Sequence, residues 1–274
     1  MGVLSRCLLN FAAIMKIVLI GAGNLATHIG GALQRAGHEI TQVYSRTIEA
    51  AAELAEKLGA SHTNCIEMIV RDADVYIFAV TDAALTEIIH EVCNGRENGL
   101  MLHTSGSTPM DCFRGMAKRY GVLYPLQTFS KCREIEFTNV PLFIEGCDAQ
   151  VEREIDLLAD GISHNHRHLD SADRRYLHLS AVWACNFVNH CYDIAAGILG
   201  QRDIPFDVLL PLIDETAAKV HRLPPNKAQT GPAVRFDENI IRSQAQLMSG
   251  DSRLKDLYER MSTSIHQRNK KQQS

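Results

Sequence analysis

The chain has 274 residues, of which 46% are hydrophobic and 22% charged, and its formal net charge is -4. This balance is typical of a folded globular protein with one large domain or two smaller ones. A slightly acidic chain without a basic stripe offers no electrostatic basis for binding nucleic acid. No apolar run reaches the length of a membrane-spanning helix. We therefore expect neither nucleic acid nor a membrane as a partner.

The eight cysteines are scattered along the sequence and form neither a C-x-x-C pair nor a zinc-type spacing. This distribution is typical of reduced core cysteines rather than a disulfide framework. It favours a cytoplasmic location.

The first fourteen residues carry Arg6 followed by an apolar run, a pattern that superficially resembles a signal peptide. The run is short, Asn10 interrupts it, and the first predicted strand begins directly after Met15. A myristoylation pattern also fails, because Arg6 occupies its Ser/Thr position. We expect residues 1–14 to be a peripheral extension, or Met15 to be the natural start.

A glycine turn follows the first apolar run and leads directly into a helical pattern. Gly21 permits a tight turn, and Gly23 lets a pyrophosphate approach the backbone. The small Ala26 lets the helix pack closely on the strand, so that the helix N-terminus faces the phosphates. The context therefore predicts a dinucleotide-binding turn at Gly21, Gly23, Asn24, Leu25 and Ala26.

Strand and helix patterns alternate from residue 16 to about residue 105, which predicts a doubly wound parallel sheet. Further strands are expected at 122–125, 141–145 and 163–169, with a helix at 149–159. Long helices then follow, at 172–199, at 206–223 and twice between 237 and 267. The predicted fold class is an α/β doubly wound Rossmann domain followed by an all-helical C-terminal domain, with boundaries at 1–14, 15–169 and 170–274.

The residues after the second strand distinguish the two nicotinamide dinucleotides. An NAD site typically places a carboxylate there, whereas this chain has Ser45, Arg46 and Thr47. An arginine fork and two hydroxyl groups suit a 2′-phosphate, which favours NADP as the cofactor. The alternative is that Ser45 or Thr47 caps the next helix while Arg46 is solvated.

Several later motifs extend the pattern beyond the glycine turn: residues 103–107, 124–129, Asn186-Phe187 and 230–235. Together with residues 21–26, these motifs resemble those of Rossmann-like proteins related to deazaflavin-dependent NADP oxidoreductases and joined to a helical domain of undefined function. The chain is more distantly similar to pyrroline-5-carboxylate reductases and the 6-phosphogluconate dehydrogenase group. The resemblance implies an NADP-dependent oxidoreductase whose helical domain forms a homodimer, without a defined substrate.

Residues that follow strands are candidates for the ligand site, because ligands in open α/β sheets bind beyond the carboxyl ends of the strands. Val80, Thr81 and Thr104 are predicted to contact the cofactor. Ser105 is predicted to donate a hydrogen bond to a bound carboxylate or carbonyl. The alternative is that Ser105 has only a structural role, in a turn rich in small residues. Gly106 and Gln127 are predicted to line a pocket for a small-molecule substrate.

The long helix of the second half carries the candidates for proton transfer. His178 and Asn186 are eight positions apart, about two turns, and roughly share one face. Hydroxyacid dehydrogenases place a catalytic lysine one turn before the asparagine, where this chain has Val182. We interpret His178 as the acid and Asn186 as a substrate-orienting residue. A histidine at a helix interface and a buried amide are the alternative.

Two other features complete the candidate set. Arg235 follows a Thr-Gly-Pro turn and can bind a substrate carboxylate, or it is a surface arginine next to a structural turn. His164, His166 and His168 alternate as on one face of a strand, but adjacent strand positions rarely converge on one ion, so no metal site is expected.

Together these patterns predict an NADP-dependent oxidoreductase that transfers hydride between nicotinamide and a small carbonyl or imine compound. The missing lysine keeps a second hypothesis open, a non-catalytic protein that binds and senses NADP.

Overall fold

A computed structural model of the protein describes residues 14–271. Apart from Ile14, the predicted extension at 1–14 lies outside the described residues. The chain divides into two compact units, one up to His190 and one from Cys191 onward. The predicted domain boundary at 169/170 stays a prediction.

The first unit is built around an eight-stranded sheet of order β3-β2-β1-β4-β5-β6-β7-β8. Neighbouring strands are parallel except for the antiparallel pair β6 and β7. This confirms the predicted doubly wound α/β fold. The strands are β1 Lys16–Ile20, β2 Glu39–Tyr44, β3 Ser61–Thr63, β4 Val75–Phe78, β5 Leu100–His103, β6 Arg119–Pro125, β7 Leu142–Gly146 and β8 His166–His168.

Five α-helices of this unit follow strands. A sixth, α6, continues the last of them after a π-helical turn, and most of its residues belong to the second unit. Gly59 ends α2 with the left-handed backbone (φ 62°) that suits glycine. Asp148 starts α4 by accepting bonds from two backbone N–H groups. The helices are α1 Asn24–Arg35, α2 Ile48–Leu58, α3 Asp82–Cys93, α4 Ala149–Ile162, α5 Ser171–Ala181 and α6 Phe187–Gly200.

Apolar side chains cover both faces of the sheet, because successive strand residues point to opposite sides. Ile17 and Leu19 belong to the cluster under α1, α2 and α4. Val18 and Ile20 belong to the cluster under α3. All four are fully buried, as the uninterrupted apolar pattern of a parallel strand requires.

The predicted single helix at 172–199 is interrupted. A π-helical turn, Val182–Asn186, separates α5 from α6. Such a turn changes the angular phase of the residues that follow it. Because a π-helical turn holds more residues per turn than an α-helix, it brings residues eight positions apart nearer to one face, and the shared face of His178 and Asn186 stays a prediction.

The second unit is helical, as predicted. Pro224 and Pro225 end the predicted helix at 206–223 early, and two short helices appear that the sequence pattern did not predict. Its helices after α6 are α7 Leu210–Val220, α8 Pro225–Ala228, α9 Pro232–Arg235, α10 Glu238–Leu247 and α11 Ser252–Lys270. Between residues 14 and 271, no helix combines the length and apolarity that crossing a membrane requires.

Candidate active site

The glycine turn joins β1 to α1 under tight steric constraint. Gly21 has φ +117°, and a Cβ built there would lie 2.4 Å from the carbonyl oxygen of Ala79. The Gly21 N–H also donates to the carbonyl of Tyr44 at 2.7 Å. Only glycine fits this turn, which fastens β1 to the ends of two neighbouring strands.

The start of α1 is open to a ligand. Gly23 occupies the N-cap position, no side chain caps the helix, and a Cβ at Gly23 would meet no atom within 4 Å. Ala26 is fully buried against the sheet. Asn24 donates its amide to the carbonyl of Phe129 at 3.0 Å. Uncapped N–H groups beside an open glycine fit a pyrophosphate.

A cavity of about 420 Å³ opens at the end of the sheet next to this turn. It brings together Gly21 and Gly23 of the glycine turn, the segment after β2, and Val80 and Thr81 after β4. The other predicted cofactor residues do not line it: Asn24, Leu25, Ala26 and Thr104. The Thr81 hydroxyl also accepts a hydrogen bond from Ala84 as the N-cap of α3. The lining residues are Gly21, Ala22, Gly23, Tyr44, Ser45, Arg46, Thr47, Ile66, Ala79, Val80, Thr81, Ala84, Glu87, Ile88 and Glu91.

One wall of this cavity carries the residues predicted to select the dinucleotide. Ser45 accepts a bond from the backbone of Thr47 at 3.3 Å, while the Thr47 side chain caps no helical N–H although it occupies the N-cap position of α2. Arg46 is exposed and lies 4.0 Å from Glu87. An exposed ion pair of this kind contributes little stability, so the guanidinium remains available to another anion.

Thr104 and Ser105 follow β5 and are both buried. The Thr104 hydroxyl donates to the carbonyl of Phe78 at 3.1 Å. The Ser105 oxygen accepts the backbone N–H groups of Ser107 (3.2 Å) and Thr108 (2.9 Å), and thereby folds the turn. The Ser107 hydroxyl in turn bonds the Asp82 carboxylate at the start of α3. This turn is therefore rigid and is fastened to the cofactor side of the sheet.

Tyr124 and His178 form a pair next to this turn. The Tyr124 hydroxyl lies 2.9 Å from Nδ1 of His178. A Cβ on Gly106 would lie 2.5 Å from the same nitrogen, so the close approach that Gly106 permits is made by this pair. Burial raises the pKa of Tyr124 to about 12, with the Arg174 charge opposing the shift, so the phenol keeps its proton at neutral pH.

Sequence reasoning identified His178 but not Tyr124. Tyr124 is the second-last residue of β6 and the first residue of the segment 124–129. This segment is one of the motifs of the family resemblance, and it was the signal in the sequence that pointed to Tyr124. The pairing could not be anticipated, because it depends on where α5 crosses the sheet.

His103 is fully buried beneath the same turn. Its Nδ1 accepts the Ser105 N–H at 3.1 Å, and its ring stacks on Phe113 with centroids 5.8 Å apart. Burial lowers the pKa of His103 to about 3, and the neighbouring Arg174 charge adds to this shift. The imidazole is therefore neutral and supports the turn from below.

The remaining predicted substrate residues are exposed. Gln127 is exposed, and its side-chain oxygen accepts the backbone N–H of Thr128. Asn186 is exposed and has no side-chain hydrogen bond to any residue between 14 and 271. Arg235 ends α9 in the second unit, where it is exposed.

Two of the alternating histidines lie beside a carboxylate of α4. His166 and His168 both approach the Asp156 carboxylate of α4, at 3.3 and 3.2 Å. They therefore share one face of β8, as the alternation predicts. Residues 14–271 contain no group of three or more ligands positioned for a metal ion.

Comparisons with known proteins agree with this geometry. Residues 16–102 match the family described as NADP oxidoreductase, coenzyme F420-dependent. Residues 140–265 match a domain of unknown function, DUF2520. A solved structure from Bacteroides fragilis, provisionally described as an NADP oxidoreductase, is 47% identical with a TM-score of 0.90, over 93% of this chain and 98% of its own.

More distant relatives share the fold or a fragment. An imine reductase from Myxococcus stipitatus, solved in complex with NADP+, is 16% identical with a TM-score of 0.68, over 92% of this chain and 93% of its own. Glutamyl-tRNA reductase of Methanococcoides burtonii is 34% identical over 91 residues, which are 31% of this chain and only 22% of that enzyme.

The glycine turn, the uncapped helix start and the cavity fit an NADP or NAD(P) cofactor, and the full-length relative is described as an enzyme that uses one. The chain belongs to the oxidoreductase family that joins a coenzyme F420-dependent NADP oxidoreductase domain to a C-terminal domain of unknown function.

Proposed function

We propose that the protein is an NADP-dependent reductase of a small carbonyl or imine compound. The Tyr124–His178 pair carries this proposal, because it places a proton donor at the edge of the sheet that also holds the dinucleotide cavity. When bound, the nicotinamide supplies the hydride for such a reaction. The name of the distant structural neighbour, an imine reductase with NADP+, supports the same class of substrate.

The cofactor is NADP rather than NAD in this proposal. Gly21, Gly23, Asn24, Leu25 and Ala26 hold the pyrophosphate, and Ser45, Arg46 and Thr47 hold the 2′-phosphate. Support comes from the exposed guanidinium of Arg46 and from the Thr47 hydroxyl, which caps no helical N–H. Val80, Thr81 and Thr104 follow parallel strands β4 and β5, whose carboxyl ends meet at one edge of the sheet, and line the path toward the nicotinamide.

Proton transfer is assigned to the pair. The Tyr124 O–H donates its proton to the substrate oxygen or nitrogen as the carbon is reduced. Nδ1–H of His178 then returns a proton to the phenolate while Nε2 takes up a proton from solvent, so that the imidazole stays neutral. The high pKa of Tyr124 keeps the phenol protonated before the reaction. Gly106 leaves room for the pair, and the Ser105 hydroxyl, which accepts two backbone bonds, still has a hydrogen to donate.

Other predicted residues enter as substrate contacts. Asn186, Gln127 and Arg235 are exposed polar side chains, and we assign them to substrate orientation and carboxylate binding. We also retain residues 15–169 as the cofactor-binding domain and 170–274 as the substrate and dimerisation domain.

A homodimer through the helical region completes the proposal. Helix α6 is mostly apolar but has no buried residue, and the preceding turn exposes 63% of Trp183. A helix that is apolar on several faces is expected to be covered. Light scattering of the purified chain measures the predicted dimer mass. The cysteines between residues 14 and 271 are free, in keeping with a cytoplasmic enzyme.

One observation favours a competing function, in which the protein binds NADP without catalysis. Val182 occupies the position one turn before Asn186, where hydroxyacid dehydrogenases have a catalytic lysine. Fluorescence titration with NADPH, followed by single-turnover oxidation with pyruvate, glyoxylate and 2-methyl-1-pyrroline, separates the two functions. Oxidation by any of these compounds supports the reductase. Tight binding without oxidation favours the sensor, and absence of NADPH binding contradicts both.

A further inference from the structure

A buried arginine fastens α5 to the sheet one helical turn before His178. Arg174 is fully buried and lies 2.6 Å from a carboxylate oxygen of Glu145 on β7. Its guanidinium also donates to the carbonyl of Thr108 (2.8 Å) and to the hydroxyl of Ser171 (3.1 Å). Three separate segments, β7, the turn after β5 and the start of α5, therefore meet at one side chain.

Ser171 adds a second layer to this network. Its backbone N–H and hydroxyl both donate to the Glu145 carboxylate, at 3.0 and 2.7 Å, and its oxygen accepts the N–H of Met110 at 2.9 Å. The first turn of α5 is thus held in both position and rotation. No other residue of α5 is buried, so apolar packing does not supply this constraint.

Stability alone does not explain the arginine. A buried ion pair recovers roughly its own desolvation cost and is often replaced by apolar side chains without loss. Here, moreover, the buried Nε of Arg174 has no hydrogen-bond partner among the described residues. Buried polar atoms are nearly always satisfied, so the burial of this side chain calls for an explanation other than stability.

The spacing of two contacts provides that explanation. Glu145 lies opposite Val122 on β6, two residues before Tyr124 and on the same face of the sheet. Two strand residues span about 6.6 Å, and the four helix residues from Arg174 to His178 span about 6 Å. The Arg174–Glu145 and His178–Tyr124 contacts between α5 and the sheet are therefore separated by nearly the same distance along the helix as along the strand.

We propose that Arg174 and Glu145 are positioning residues that set the rotation of α5, so that Nδ1 of His178 meets the Tyr124 hydroxyl. This inference deepens the proposed function and rests on it for its catalytic consequence. The positioning itself is a property of the chain without cofactor and can be measured there.

The test compares Arg174→Met, which keeps length and removes charge, with Arg174→Lys and Glu145→Gln. Arg96→Met is the matched control, because Arg96 is also buried and bonds backbone carbonyls, but at the opposite end of the sheet. The readouts are the 15N shift of the His178 imidazole in cofactor-free protein, urea unfolding, the Kd for NADPH, and turnover with the best compound of the carbonyl and imine panel.

Arg174→Met is expected to move the His178 Nδ1 shift toward its value in Tyr124→Phe. Turnover should fall about tenfold to a hundredfold, since misplacement by about 1 Å has this effect, while the Kd for NADPH changes less than twofold. Arg174→Lys should show a smaller change in the His178 Nδ1 shift and a smaller fall in turnover than Arg174→Met. Arg96→Met should lose stability yet keep the wild-type His178 shift.

An unchanged His178 shift in Arg174→Met overturns the proposal, as does an equal change in Arg96→Met. Where Arg174→Met does not fold, Glu145→Gln and Arg174→Lys decide by the same shift. Wild-type turnover in Tyr124→Phe contradicts the proposed function instead. That outcome is distinguishable, because the shift measurement needs neither substrate nor cofactor.

Discussion

The hydroxyl of Tyr124 and Nδ1 of His178 lie 2.9 Å apart, although the residues are 54 positions apart in the sequence. The contact joins β6 to α5, the helix that follows the last strand of the sheet. Gly106 is the reason it can form, because any side chain there would overlap both partners. Three residues from three segments therefore define one site.

Removal of the phenol hydroxyl tests the pair directly. Tyr124→Phe is expected to lower kcat about 10²- to 10⁴-fold, the usual effect of losing a general acid, with the Kd for NADPH unchanged. Because burial raises the pKa of Tyr124 to about 12, the wild-type rate should show no inflection from phenol ionisation between pH 7 and pH 10. Steady-state kinetics across this range provide the measurement, and wild-type turnover in the variant would contradict the assignment.

A methyl group at position 106 tests the same geometry without touching either partner. Gly106→Ala is expected to displace His178 from Tyr124 and to lower turnover at least about tenfold. NADPH affinity should be retained, because Gly106 does not line the dinucleotide cavity. Activity equal to wild type in a folded variant would show that the pair tolerates the displacement and is not needed.

Gly21 and Gly23 form a matched pair for separating folding from cofactor binding. Gly21→Ala places a methyl against the Ala79 carbonyl at positive φ, and the backbone strain alone costs about 1–3 kcal/mol. The methyl group of Gly23→Ala would contact no protein atom, so the free energy of unfolding should change by about 0.5 kcal/mol or less. NADPH binding should nevertheless weaken at least tenfold. Urea unfolding and fluorescence titration measure the two effects. Undiminished binding by Gly23→Ala would contradict the pyrophosphate assignment.

Arg46 distinguishes the two dinucleotides. Loss of a hydrogen bond to a charged group costs about 1.5–3 kcal/mol, so Arg46→Ala should weaken NADPH about tenfold to a hundredfold and leave NADH unchanged. Arg46→Asp should have a larger effect in the same direction. Glu87→Gln serves as a control, because it removes the partner of Arg46 at 4.0 Å and should not weaken NADPH. Equal weakening of both dinucleotides would refute a 2′-phosphate site.

His103 makes stability depend on pH. Its pKa is lowered to about 3 in the folded protein by burial, against an unfolded value near 6.5. The unfolded chain therefore binds the proton first, and the folded state loses stability as pH falls from about 6.5 toward 3. The loss is about 2 kcal/mol at pH 5 relative to pH 8.

Urea unfolding of wild type and His103→Asn at both pH values isolates this contribution. The asparagine oxygen can accept the Ser105 N–H in place of Nδ1, so the turn keeps its support while the titrating group is removed. The variant should lose about 2 kcal/mol less than wild type between pH 8 and pH 5. An identical loss in both proteins would mean that His103 titrates normally.

The architecture of the first half could be predicted from the sequence. The alternation of strands and helices from residue 16 to about residue 105 agrees with the structure, because buried strands, amphipathic helices and glycine stops are local signals. The π-helical turn after Ala181 could not be predicted, since nothing in its composition distinguishes it from the flanking α-helices. The helix predicted at 206–223 was likewise too simple, since it begins as a 3-10 turn and ends at Val220.

The site was predictable only where one segment builds it. The glycine turn and Ser45-Arg46-Thr47 are each a continuous stretch of sequence, and each contributes residues to the cavity lining. Tyr124 was missed because its role depends on a helix that crosses the sheet, and Arg174 because a charged residue on a polar helix is normally solvated. The predicted role of Gly106 in lining a substrate pocket stays a prediction, and the structure adds that Gly106 makes room for the Tyr124–His178 pair.

The antiparallel direction of β7 has a consequence for protein engineering. It reverses the chain, so that α5 starts beside Glu145 and rises along β6 to reach Tyr124. A chimera that exchanges the helical half between relatives would lose His178 and Arg174 if it were joined before Ser171. A junction after His190, where the first compact unit ends within α6, transfers α7 to α11 and leaves the Tyr124–His178 pair intact.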